Sequence, residues 1–162
     1  MTTLTPLTST RPEAFRPALP GSKSYTNRAL VLAAGRMGTT RVEGGLDCED
    51  TVLLARALSS FGGLSAAADE RGFAVTRSRE RPSAPRGELF MGSAGTPARF
   101  VLAFAATAEG ATVVTGGARL CERPMADLLG ALGALGIRHE PLSRPGHLPV
   151  RVHGGSIASR EW

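Results

Sequence analysis

The sequence predicts an α/β fold made of two tandem β-α-β-α-β-β units. Three observations carry this. The stretch "GSKSYTNRALVLAAGRMGTTRVEGG" from Gly21 lies over "GSAGTPARFVLAFAATAEGATVVTGG" from Gly92, so the chain contains an internal repeat. Each copy alternates apolar stretches of helical length with short runs of strand-forming residues. The composition is 42% hydrophobic but only 5% aromatic, which is enough for a core and makes it one of small aliphatic side chains.

The repeat is ordered. Gly21, Ser22 and Arg28 match Gly92, Ser93 and Arg99; Gly38, Val42 and Gly44 match Gly110, Val114 and Gly116. Cys48-Glu49 then matches Cys121-Glu122, and Leu58 and Gly62 match Leu132 and Gly136, as the offset drifts from 71 to 74 residues. Short loop insertions produce such drift, and chance matching in an Ala/Gly/Leu-rich chain does not.

Within each unit a Gly-Ser turn opens an apolar helix, over residues 24–36 and again over 96–108. A strand follows, "TTRVEGG" or "ATVVTGG", and then a second helix, "CEDTVLLARALSSFG" or "RPMADLLGALGALG". Both second helices are expected to stop at glycine, and Pro124 to occupy a first helical turn. The strand pairs "LSAAAD" with "GFAVTRS" and "IRHEPL" with "LPVRVHG" close the units. The expected division is an N-terminal arm (1–18), a first unit (19–79), a solvated linker (80–87), a second unit (88–154) and the start of a third (155–162).

Several function classes are disfavoured. The net charge of +5 points to an anionic partner. The arginines are dispersed, no nucleic-acid module is visible, and one Trp, one Tyr and six Phe offer few stacking platforms, so nucleic acid is not the expected partner. Two cysteines without a C-x-x-C or a nearby histidine support neither a metal site nor a disulfide framework. No secretory signal and no membrane-length apolar run is visible, and a cytoplasmic location with no membrane association is expected.

The two Gly-Ser turns are candidate anion sites, because a helix N-terminus presents unpaired N–H groups and partial positive charge. An ordinary N-cap is the competing reading of either turn alone. Two such turns with an arginine on the adjoining helix face suggest a ligand with more than one acidic group: Arg28 follows Ser24 by four residues, and Arg99 follows Thr96 by three. The 19 basic residues are 18 arginines and one lysine, Lys23, set between Ser22 and Ser24. An ammonium is a compact charge with an adjustable pKa and fits a crowded centre that a planar guanidinium does not. Neither turn is a Walker loop or a G-x-G-x-x-G.

"LPGSKSYTNRAL", "GSAGTPAR" and "ERPM", in this order, resemble the enolpyruvyl transferase family, in the branch acting on shikimate 3-phosphate. The pattern G-S-K-S-x-x-N-R sets that branch apart from the one acting on UDP-N-acetylglucosamine, and the resemblance runs from residue 18 to about residue 155. It implies a part of one domain of a two-domain inside-out α/β barrel, each domain holding three β-α-β-α-β-β units. It implies transfer of an enolpyruvyl group from phosphoenolpyruvate to the 5-hydroxyl of shikimate 3-phosphate, releasing phosphate, with no metal and no organic cofactor.

The resemblance also implies roles. Lys23 would contact phosphoenolpyruvate beside the second substrate and serve as the catalytic residue. Ser24 and Arg28 would hold shikimate 3-phosphate. Gly95 and Thr96 would line the phosphoenolpyruvate pocket, and Arg123 would pair with that substrate's anionic groups. Ser22, Ser93 and Arg99 would support these turns. Asp50 is read either as a partner for a cation or as a helix N-terminal acid favoured by the dipole.

The chain also departs from the pattern. The family's G-N-A-G-T-A-x-R-P reads here "GSAGTPARF", with Ser93, Pro97 and Phe100 at the differing positions. Altered sensitivity to glyphosate, which competes with phosphoenolpyruvate, is the expected consequence. Family enzymes are more than twice this long, so about half of a site is expected here, inactive alone and completed by a second chain or by missing sequence. A non-catalytic anion-binding remnant and a relative acting on a modified shikimate are the alternatives.

Overall fold

The computed structural model describes residues 19–155. In chain order it contains α1 (Lys23–Gly35), β1 (Gly38–Glu43), α2 (Glu49–Ser59), β2 (Leu64–Asp69) and β3 (Gly72–Arg77). There follow β4 (Leu89–Phe90), α3 (Gly95–Ala105), β5 (Gly110–Thr115), α4 (Ala118–Cys121), α5 (Ala126–Ala134), β6 (His139–Pro141) and β7 (Val150–Gly154). The expected arm over 1–18 lies outside the described residues, as does nearly all of the expected third-unit start over 155–162.

Two sheets form. The first has the order β1-β3-β2, and the second the order β4-β5-β7-β6. The three-strand pattern is the same in both: β1 with β3 and β5 with β7 pair antiparallel, and β2 and β6 close the hairpins. The registers correspond, with Gly38 opposite Arg77 and Gly110 opposite Gly154. Gly38 and Gly110 both sit at positive φ, 82° and 101°, where the chain leaves a helix and enters a strand. In the second sheet β4 adds a parallel partner to β5.

The helices lie between the sheets. α1 and α2 pack on the first sheet, α3 packs on β5 and β7, and α3 also meets α1 and α2. Strand alternation supplies the inner faces: Phe73 and Val75 on β3, Val150 and Val152 on β7. Leu30, Leu54, Leu58, Val101 and Leu102 fill the middle from the helices, each worth about 1.5–3 kcal/mol of burial. Phe61 and Phe104 join the units edge to face, with ring centroids 5.1 Å apart.

Four local expectations need correction. The second helix of unit two is shorter than its pattern: α5 begins at Ala126, and Pro124 stands before it rather than in its first turn. The unforeseen α4 occupies the preceding stretch, because Leu120 turns inward and is fully buried. The glycine stop holds for α5, where Gly136 takes φ 84°, but α2 ends at Ser59 with Ser60 as its C-cap. The linker is not simply solvated: Pro82 is buried, Ser83 exchanges backbone hydrogen bonds with Gly62, and Pro82 and Ala84 do so with Glu109. Among the described residues no helix is long and apolar enough to cross a membrane.

Candidate functional site

Lys23 is the first residue of α1. Ser22 caps the helix, its hydroxyl accepting the Tyr25 N–H at 3.5 Å. The first turn of α1 itself holds no acidic residue to offset the helix dipole. The Lys23 side chain is half-exposed, and Nζ lies 3.1 Å from Asp50 Oδ2 in the first turn of α2. Asp50 thus sits both beside a cation and in a helix's first turn, where the dipole favours an acid.

Two threonines fix that approach. Thr26, buried, donates its hydroxyl to Ser22 O at 2.9 Å and accepts the Leu46 N–H at 2.9 Å. Thr51, fully buried, donates to Leu46 O at 2.7 Å and accepts the Cys48 N–H at 3.0 Å. The loop that sets the start of α2 is thus held to the start of α1 by hydroxyls on both sides. Gly21 lies against the same loop, beside Gly44 O and Leu46 N.

The second turn is held differently. α3 starts at Gly95, and its N-cap, Ala94, has no side chain able to cap. The Arg123 guanidinium occupies the space a side chain would take: a β-carbon on Gly95 would fall 2.5 Å from Arg123 Nη1. Arg99 donates to Gly95 O at 3.0 Å and to Pro124 O at 2.8 Å, tying the start of α3 to the segment bearing Arg123. Arg28 makes the matching one-turn bond, to Ser24 O at 2.9 Å. Ser24, Ser93 and Thr96 are exposed at the helix starts. Pro97, buried in the first turn of α3, lacks an N–H where no intrahelical acceptor exists. Phe100 is half-buried and packs on the core.

The two turns meet through α2. A β-carbon at Gly92, just before α3, would lie 3.5 Å from Leu53, one turn beyond Asp50. The structure therefore gathers Lys23 with Asp50, and Gly95 with Arg99 and Arg123, about the first turns of α2. A surface hollow of about 610 Å³, lined by Arg41, Asp69, Glu70 and Arg71, lies at the β2–β3 turn and not here. Thr26, Asn27 and Thr51 carry no role in the sequence reading. Thr26 and Asn27 stand inside the "GSKSYTNR" stretch, but only the fold shows what they face.

A family model described as EPSP synthase (3-phosphoshikimate 1-carboxyvinyltransferase) matches residues 17–161. The chain belongs to the EPSP synthase family. A 3-phosphoshikimate 1-carboxyvinyltransferase of Rhizobium etli (strain CIAT 652) is 42% identical over 144 residues, covering 89% of this chain and 34% of that protein. One from Pseudomonas savastanoi pv. phaseolicola is 39% identical over 158 residues, 98% of this chain and 38% of its own length. The chain thus spans about a third of the length of these EPSP synthase relatives. An EPSP synthase structure from Acinetobacter baumannii superposes with a TM-score of 0.74 at 30% identity, over 84% of this chain and 31% of that one. The enolpyruvyl transferase NikO of Streptomyces tendae, at 15% identity and a TM-score of 0.52 over 87% of this chain and 33% of that one, shares the fold.

Proposed function

We propose that this chain provides part of the site for enolpyruvyl transfer from phosphoenolpyruvate to the 5-hydroxyl of shikimate 3-phosphate, with release of phosphate. The observation that carries the reading is the pair of helix starts around α2, one presenting Lys23 and the other Arg123 against bare glycine backbone. Two multiply charged anions repel each other, and a catalyst that joins them must first hold them together. In this reading Ser24 and Arg28 hold shikimate 3-phosphate. Arg123, Gly95 and Thr96 hold phosphoenolpyruvate. Lys23 stands where the two meet, kept in place by Asp50, while Ser22, Ser93 and Arg99 support the turns.

The reaction needs a proton delivered to the phosphoenolpyruvate methylene and one removed from the attacking hydroxyl. In this reading the acid and base belong to the part of the relatives' length that this chain does not span. Both cysteines are free thiols, as suits a cytoplasmic enzyme.

The test is calorimetric titration of the chain with each substrate, alongside a phosphate-release assay. Binding without turnover is expected, and Lys23→Ala should weaken phosphoenolpyruvate binding by about tenfold, roughly 1.4 kcal/mol. Turnover by the chain alone, or unchanged affinity in the variant, would overturn this assignment.

A further inference from the structure

One buried polar group is unused by that reading. Asn27 is 1% exposed, and among the described residues neither Nδ2 nor Oδ1 has a hydrogen-bond partner. An amide so placed forgoes several hydrogen bonds, and natural folds rarely leave one so without a reason. Packing does not require it. The matching residue of the second unit is Ala98, also fully buried, so this place in the repeat accepts a small apolar side chain.

Position gives the reason. Asn27 follows Lys23 by four residues and shares its face of α1 with the buried Leu30 and Ala34. Helical side chains lean toward the N-terminus, so the amide is directed at the turn that carries Lys23. There the ammonium meets Asp50 from α2 at 3.1 Å. The amide therefore faces that turn from its buried side, and a single bound water would be the means of joining it to the ion pair. Such a water has the polar partners it needs in the amide, the carboxylate and the ammonium.

We propose that Asn27 is a positioning residue of the anion site: through a bound water it sets where the Lys23–Asp50 pair sits, and thereby where Lys23 meets the acidic group of its ligand. The inference rests on the reading of Lys23 as an anion-binding group. Asn27 itself touches no reacting atom.

Asn27→Leu separates this role from a structural one. Leucine is of similar size and removes the unpaired amide, so the variant should fold with equal or higher Tm. Its affinity for phosphoenolpyruvate should nevertheless fall about fivefold to tenfold. In a Lys23→Gln background the same substitution should change affinity less than twofold, because the group it positions is gone. Equal loss in both backgrounds, or no loss in either, would overturn the inference.

A ligand-free readout covers the case in which the parent chain binds no anion and the reading of the site itself fails. The Asn27 side-chain NH₂ resonances should shift on Asp50→Ala and on Lys23→Ala, and show transfer from water. Resonances indifferent to both substitutions would overturn the inference whatever the chain binds.

Discussion

The two helix-opening turns begin from nearly the same residues and are anchored by opposite means. In the first, the Ser22 hydroxyl caps α1, Thr26 ties α1 to the loop before α2, Thr51 ties that loop to α2, and Lys23 is left projecting toward Asp50. In the second no hydroxyl does this: Arg99 bridges two carbonyls, and Gly95 leaves its backbone bare against Arg123. One turn presents its own cation, and the other receives a cation from a neighbouring segment. A repeat can thus keep its frame, including the matching bonds Arg28 to Ser24 O and Arg99 to Gly95 O, while its two copies are anchored by different side chains.

The segments leading into the turns differ as well. Met91 donates its N–H to Thr115 O at 2.9 Å, extending the pairing of β4 along β5. Its counterpart in the first unit is Pro20, which has no N–H to give to the end of β1.

The strongest test of this contrast is substitution of the leading glycines. Gly21→Ala drives a β-carbon into Gly44 O and to 2.9 Å from Leu46 N, backbone atoms with no freedom to withdraw, and should cost about 2–3 kcal/mol. Gly92→Ala meets only ordinary contact with Leu53, and should cost about 1–2 kcal/mol for its left-handed φ of 52°. Urea denaturation of both variants measures this, and equal costs would show that the turns are anchored alike.

Thr51→Val comes next. It keeps the shape and strands Leu46 O and the Cys48 N–H, for an expected loss of about 1–3 kcal/mol by the same denaturation measurement. No loss would mean that the hydroxyl lock on α2 is incidental.

The paired arginines should then part company. Arg99→Met breaks a bridge between two segments and should cost about 1–2 kcal/mol in stability. Arg28→Met loses one exposed bond within its own helix, about 0.5 kcal/mol, yet should weaken shikimate 3-phosphate binding more than Arg99→Met does. Titration calorimetry and thermal melts on both variants give the two rankings.

The smallest effect concerns acid. The hydrogen bond from Arg41, at 2.5 Å, and the Arg71 N–H hold Asp69 below its usual 3.8 on the first sheet. On the second sheet burial pushes Glu140 up, but the His153 hydrogen bond and charge, with Arg151, outweigh it and leave the carboxyl below 4.5. For both, the folded value is the lower one. The stabilisation is therefore complete above the unfolded value and fades as pH falls through the folded value. Asp69→Asn should flatten the acid limb of a stability–pH profile slightly, and Glu140→Gln likewise; an unchanged limb would show these exposed pairs to be without consequence.

Much of the fold was legible because repetition and periodicity are local. β2 covers "LSAAAD" with the expected bounds, and α1 and α3 start within one residue of expectation. Pro124 misled because a proline suits both a first helical turn and the residue before a helix, and the burial of Leu120 decided between them. Of the site, Lys23, Ser24, Arg28, Gly95, Thr96 and Arg123 could be named from motif and resemblance. Thr26 and Thr51 could not, and Asn27, though a letter of the G-S-K-S-x-x-N-R pattern, could be given no role, since a threonine or asparagine in an apolar helix carries no mark of what it will face.

The amino-acid sequence alone determined the α/β class, the two-unit repeat, the two Gly-Ser turns that open helices and the single lysine among eighteen arginines. Glycine turns, helical period and charge type act within a few residues and leave their trace in the order of the letters. Only the tertiary structure decided that Lys23 pairs with Asp50, that Arg123 lies on Gly95, and that Asn27 is buried without a partner. Those facts join segments about 25 residues or more apart, or depend on what surrounds a buried atom, and close packing of the helices between the sheets sets both.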